Sequence, residues 1–227
     1  MTCQTAAFEV VFWVHLSFSV DKEATDVDKI QFLNKFAKME NLTCKMFYWT
    51  LISTKYKEPQ CKTKWAEYFP LFKKADDSVW TRIFEMPFKN ARETNLQSFQ
   101  YRVIHRIIPC NKWLHNITVK SSSLCDFCEN EDNLIHYFMH CSNTKIFWNY
   151  FFNWWHTITE MLIENILDEH ILFGFPSNCD IVTVLNFCVL FAKWYIYCKK
   201  LNNNNDFDLY EYQVQLKQRL LFEKNDM

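Results

Sequence analysis

One glycine, Gly174, stands in a chain of 227 residues. Glycine is the residue that enters left-handed backbone without steric cost, so its scarcity removes whole classes of fold. Neither a Gly-rich phosphate loop nor a dinucleotide-binding fingerprint can be written with it. Hairpin-rich β folds also want glycine in their turns. The expected fold class is therefore mainly α. The length suits one domain or two small ones, with enough chain for a real core. Aromatic residues make up 18% and the formal net charge is −1, which excludes a disordered chain.

The stretch with the clearest chemistry runs from Leu124 to Cys141, L-C-D-F-C-E-N-E-D-N-L-I-H-Y-F-M-H-C. Cys125 and Cys128 form a C-x₂-C pair, followed by His136 and Cys141 in the pattern C-x₂-C-x₇-H-x₄-C. Two cysteines so spaced place both sulfurs on one side of a tight turn. A later His and Cys close a tetrahedral S₃N site, which suits Zn²⁺. So compact a loop holds too few apolar residues to fold without the metal. The expected architecture is thus a helical, bundle-like domain with a small inserted zinc knuckle. A redox role for C-x-x-C would need a β-α-β setting, and none surrounds it. His136 has a plainer reading as a core histidine beside Leu134, Ile135 and Phe138. His140 is the alternative ligand, sharing a face with His136 if this piece is helical, but it adjoins Cys141 and adjacent ligands strain the backbone.

The remaining pattern is helical. Asp26 is expected to cap a helix with Ile30, Leu33, Phe36 and Ala37 on one side. Asn41 would cap a second, carrying Phe47 and Leu51. Asp77 or Ser78 would open a helix through Val79, Trp80, Ile83 and Phe84 that Pro87 stops. Thr94 opens another, with Leu96, Gln100, Val103 and Ile107 projecting one way, Arg102, His105 and Arg106 on the other side or its flank, and Pro109 at its end. Phe147, Phe151, Trp155, Ile158 and Leu162 recur at helical spacing as a core stripe. Ile181 to Cys198 is apolar enough to raise a membrane span, but Asn186 and Lys193 inside it favour a buried core helix. A last amphipathic helix carries Leu209, Tyr212, Leu216 and Leu220. The segments divide as 1–75, 76–145 (basic helix plus knuckle) and 146–227. Met1 to Val20 reads equally as strand or helix. Its apolar run lacks a basic leader and a cleavage site, so no signal peptide is expected. Most of the ten cysteines are expected to be reduced, in an intracellular protein of the cytoplasm or nucleus.

Asp76-Asp77 invites comparison with polymerase carboxylate pairs. It follows Lys73-Lys74 and precedes a helix, rather than sitting at a hairpin between apolar strands, so capping is the expectation. No catalytic residues are expected.

Three runs around the Cys/His motif carry a resemblance: N-L-Q-S-F-Q-Y-R-V-I-H-R-I-I-P-C-N-K-W-L (Asn95 to Leu114), the motif itself, and K-I-F-W-N-Y-F (Lys145 to Phe151). Together they resemble the C-terminal region of LINE-type (non-LTR) retrotransposon reverse transcriptases, the zinc-binding domain in reverse transcriptase. The likeness is strongest from Trp80 to Trp155 and extends more weakly through Ile171 to Gly174, Leu185 to Ile196 and Leu216 to Leu220. It implies Cys125, Cys128, His136 and Cys141 as ligands of Zn²⁺. It also implies an accessory module that holds element RNA or target DNA, without the polymerase domain, a membrane or a small-molecule substrate. A structural or protein-interaction module, and a decayed remnant, are the competing classes.

Charge narrows where nucleic acid would touch. Arg92, Arg102, Arg106, Lys112 and Lys120 face Glu93 alone between Arg92 and Lys120, while the knuckle carries Asp126, Glu129, Glu131 and Asp132 with no Lys or Arg. The knuckle is then a poor phosphate binder. Arg102, Arg106, Lys112 and Lys120 are the expected phosphate contacts, with the acidic loop turned away.

Overall fold

The computed structural model describes residues 29–32, 35–38, 43–46, 48, 55, 58–176 and 179–225. The chain divides into two compact units, Met1–Glu58 and Pro59–Met227. In the first, strands β1 (Lys29–Phe32) and β2 (Lys35–Lys38) pair antiparallel, with Ile30 opposite Ala37. The helix expected after Asp26 is corrected to this strand pair. Lys29-Ile30-Gln31-Phe32 alternates polar and apolar residues, and the strand period of two prevails over helical spacing. The readings for Met1 to Val20, and those for Asn41, Phe47 and Leu51, lie outside the described residues.

The second unit is helical: α1 (Gln60–Tyr68), a 3₁₀ turn (Pro70–Lys74), α2 (Asp77–Asn90), α3 (Thr94–Ile104), α4 (Asn111–Asn116), a π turn (His136–His140), α5 (Ser142–Thr159), α6 (Asp168–Phe173), α7 (Asp180–Leu201) and α8 (Leu209–Asn225). The fold is mainly α, as expected. The unit begins at Pro59 rather than near residue 76, because Cys61 and Trp65 on α1 belong to the same core as the later helices. That core also runs unbroken across residue 145.

Several boundaries move for local reasons. Asp76 is the N-cap of α2, its Oδ1 accepting from the Val79 amide at 3.1 Å and the Ser78 hydroxyl at 2.6 Å. The carboxylate satisfies an amide that has no partner within the helix. Pro87 does not stop α2, which continues to Asn90 with Pro87 buried inside it. Helix α3 ends at Ile104, since Arg106 takes a left-handed φ of 59°. Ile107 therefore leaves the buried face, which consists of Leu96, Phe99, Gln100, Val103 and Ile104. In the expected stripe on α5, Phe147, Phe151 and Trp155 are buried, while Ile158 is exposed and Leu162 lies beyond the helix, also exposed.

Helix α7 is the axis. It is long and apolar enough to cross a membrane, yet most of it is buried within the unit. Helices α2, α3 and α8 and the π turn all pack on it. Its Phe191 and Tyr195 meet Tyr212 of α8, whose ring also contacts Phe147 and Phe151 of α5. Burying rings of this size contributes about 1.5–3 kcal/mol each, so this aromatic cluster is a main source of cohesion. The Tyr212 hydroxyl donates to the Cys188 carbonyl at 2.9 Å, so the buried phenol keeps a partner.

Two unusual residues meet α7. Gly174 has φ +89°, and a methyl group there would overlap Met86 Cε and crowd Asn186 Oδ1. Asn186 in turn accepts from the Phe175 amide at 2.7 Å and donates to its carbonyl at 3.1 Å, fixing the turn that follows α6. Gly174→Ala should destabilise the unit by about 1–3 kcal/mol, since this backbone region is nearly exclusive to glycine. Chemical denaturation measures it; an unchanged midpoint would show that the turn relaxes freely.

Lys193 is 2% exposed and donates to Gln100 Oε1 at 2.6 Å and to the Leu172 carbonyl at 2.7 Å. With only neutral acceptors, burial pushes its pKa down to about 7. In the unfolded chain a lysine titrates near about 10.4. Between those values the unfolded state carries the extra proton. Stability therefore rises with pH from about 7 to about 10 and is lost on acidification toward 7. Relative to Lys193→Met, the parent should gain on the order of 1 kcal/mol per pH unit across this window. A difference that stays flat from about pH 7.5 to 9.5 would show that the amine is not held neutral.

Candidate metal centre

The Cys/His segment is shaped by backbone bonds before any metal enters. Leu124 and Glu131 form an isolated antiparallel bridge, and the Cys125 amide donates to the Asn130 carbonyl at 2.7 Å. The chain reverses between them through Glu129, whose φ is 57°, with its amide donating to the Cys125 carbonyl at 3.1 Å. This tight turn brings the two C-x₂-C sulfurs to one side. The second ligand pair comes from the π turn, which Asn133 opens by accepting from the His136 amide at 2.9 Å. At 3.6 residues per turn, an α-helix would put residue i+5 about 140° around from residue i. The wider turn, closed by the Cys141 amide on the His136 carbonyl at 2.9 Å, returns Cys141 toward the side of His136. Such π turns occur often at functional sites.

The result is a closed cluster. The donor atoms of Cys125, Cys128, His136 and Cys141 all lie within 4.8 Å of one another and could hold one metal ion. Cys128 Sγ is 3.3 Å from His136 Nε2, and Cys125 Sγ is 3.9 Å from Cys141 Sγ. Cys125, His136 and Cys141 are buried and Cys128 is half-buried. Burial pushes the Cys125 thiol up to about 11. For Cys128 burial acts in the same sense, but hydrogen bonds with Asn130, Cys125 and Cys141 outweigh it and the pKa falls. Burial lowers the His136 pKa, favouring the neutral imidazole that metals require. His140 is turned elsewhere: its Nε2 pairs with Asp168 Oδ2 at 2.8 Å at the start of α6. The nine described cysteines form no disulfide.

A polar hub ties this segment to α4. Asp132 is 4% exposed, and its Oδ2 accepts from the Asn111 amide at 2.8 Å. Asn111 Nδ2 donates to the Leu124 carbonyl at 2.7 Å and to Asp126 Oδ2 at 3.2 Å. Sequence reasoning placed Asp132 only among the acidic residues of the loop and missed Asn111, for nothing in their immediate neighbours marks them as partners. It also missed Lys200, whose Nζ reaches the Tyr137 carbonyl at 2.7 Å from a position 63 residues away.

The four expected phosphate contacts are engaged inside the unit. Lys120 pairs with Asp126 at 2.7 Å and Lys112 with Glu131 at 2.8 Å. These lysines lower the pKa of their carboxylate partners. The acidic loop thus faces Lys112 and Lys120, correcting the expectation that it turns away. Arg106 lies beyond α3, donates to the Lys64 carbonyl at 3.0 Å, and sits 4.9 Å and 4.6 Å over the rings of Trp65 and Tyr68. Arg102 stays on α3 and lies 5.5 Å over Tyr197. The two arginines therefore do not share one helical row, because the helix ends between them.

The class that fold and site define is a mainly helical unit with a closed Cys₃His cluster. No family model matches the chain, and no curated protein or solved structure matches it.

Metal analysis of purified variants separates the two histidines. His136→Ala should abolish stoichiometric metal, while His140→Ala should retain it, losing at most a half-exposed pair worth about 0–1 kcal/mol. Loss in His140→Ala with retention in His136→Ala would reassign the ligand.

Proposed function

We propose that the cluster binds one structural Zn²⁺ and that the chain is a zinc-stapled accessory module with no polymerase activity of its own. The four-donor geometry carries this reading. A tetrahedron with zinc–sulfur bonds of about 2.3 Å and a zinc–nitrogen bond of about 2.0 Å has S···S edges of about 3.8 Å and S···N edges of about 3.5 Å. Two opposite edges, at 3.9 Å and 3.3 Å, fit that tetrahedron within a few tenths of an ångström, and the other edges are no longer than 4.8 Å. Four protein donors leave no position open for a reacting water, which is the pattern of structural rather than catalytic zinc. The role of Asp76 as a helix cap supports the absence of a polymerase carboxylate pair.

The binding partner in this reading is RNA or DNA, as the resemblance to LINE-type reverse transcriptases implies. With Arg102, Arg106, Lys112 and Lys120 engaged, contact would fall on other cations. Lys64 on α1 and Lys73 and Lys74 on the 3₁₀ turn are exposed. A second reading, a structural or protein-interaction module, is favoured by that same internal use of the four basic residues.

Salt-dependent binding to single-stranded RNA and duplex DNA tests the choice. Substituting Lys64, Lys73 and Lys74 by Ala should weaken binding and flatten the plot of log affinity against log salt. Its slope should fall by about 0.7–0.9 for each lysine that neutralises a phosphate in the parent. The Arg102→Ala, Arg106→Ala pair should leave that slope unchanged. A parent protein that takes up one zinc and binds neither nucleic acid would favour the interaction module.

A further inference from the structure

The proposed zinc centre creates a charge problem. Three thiolates around Zn²⁺ leave one net negative charge, with sulfurs that are mostly buried. Asp132, also buried, adds a second, and its Oδ1 has no hydrogen-bond partner. Burying like charges together is costly unless a cation answers them. The lysines that flank the segment in sequence are placed otherwise: Lys112 and Lys120 are bound to Glu131 and Asp126, and Lys145 is exposed on α5.

Lys200 comes from the last turn of α7 and is half-buried. Its Nζ donates to the Tyr137 carbonyl at 2.7 Å and lies 4.2 Å over the Tyr137 ring. Tyr137 sits between His136 and Cys141 in the π turn, so the ammonium is anchored on the backbone that presents two ligands. Burial is the largest influence on the Lys200 amine and lowers its pKa. Lys199, one residue earlier, engages Glu211 on α8 instead.

We propose that Lys200 is the positioning residue of the metal centre: its cation offsets the negative charge of the Cys₃His site while its N–H holds the ligand-bearing π turn. The inference rests on the zinc reading. It assigns the centre a partner outside its own loop, and so couples metal affinity to the docking of α7.

The test is zinc affinity by competition with a chromophoric chelator, together with the rate at which N-ethylmaleimide alkylates the zinc-loaded protein. Lys200→Gln keeps a donor but removes the charge. It should weaken zinc binding by about 10–100-fold, the usual cost of losing an outer-shell partner, and should speed alkylation. Lys200→Arg keeps the charge and should stay within a few-fold of the parent. Lys199→Gln makes the same change in net charge one residue away and should match the parent. Parent-like affinity and alkylation in Lys200→Gln would overturn the proposal. So would equal losses in Lys200→Gln and Lys200→Arg, or in Lys199→Gln. A parent that takes up no zinc would instead overturn the zinc reading itself.

Discussion

A helix buried around most of its circumference dictates what surrounds it. Helix α7 keeps apolar side chains in the core from Val182 to Tyr197, so no single neighbour could shield it. Helix α2, α3, α8 and the π turn each cover part of it. The aromatic residues of α5 and α8 then close over Phe191 and Tyr195. The order of assembly along the chain is irrelevant to this requirement; what matters is that each covering element offers an apolar face of the right width. The abundance of Phe, Trp and Tyr meets that need with few residues per face, because each ring buries a large area.

Paired charges join the Cys/His segment to α4 and the residues that follow it. Lys112, Lys120, Asp126 and Glu131 pair across the junction between α4 and the Cys/His segment, with Asn111 and Asp132 beneath them. Exposed pairs of this kind contribute little singly, but here they share partners with buried hydrogen bonds and fix one orientation. Arg106 illustrates the same economy of position. Its guanidinium lies over Trp65 and Tyr68 and binds the Lys64 carbonyl, linking the end of α3 to α1. A run of basic residues that reads as an open surface in sequence is thus distributed over three separate internal tasks.

The helical class is legible in the sequence because one glycine and a strong 3.6-residue pattern point the same way. The four-donor cluster is legible because Cys-x₂-Cys is a local pattern that a tight turn can satisfy. His136 is preferred to His140 in the sequence because His140 adjoins Cys141, but the π turn that seats it is announced by no residue preference. The end of α3 is hidden because Arg106 adopts left-handed backbone, an uncommon state for a long side chain. Pro87 reads as a stop, yet α2 runs through it for three more residues. The strand pair at Lys29–Phe32 and Lys35–Lys38 fits both periodicities over so few residues. The roles of Asn111, Asp132 and Lys200 are invisible in sequence because their partners are set by tertiary packing.

Three of the polar residues on α7 are evenly spaced: Asn186, Lys193 and Lys200 stand seven apart. Seven residues are close to two helical turns, with a drift of only about 20°, so the three form one narrow seam. Each donates to a main-chain carbonyl: Asn186 to Phe175, Lys193 to Leu172 and Lys200 to Tyr137. The seam spans about 21 Å at 1.5 Å per residue and links the glycine turn to the π turn at a fixed separation. Inserting or deleting one residue anywhere between Asn186 and Lys200 would rotate one end by about 100° against the other. The helix is therefore phase-locked over this stretch, since a change in its length would break the hydrogen bonds at one end or the other.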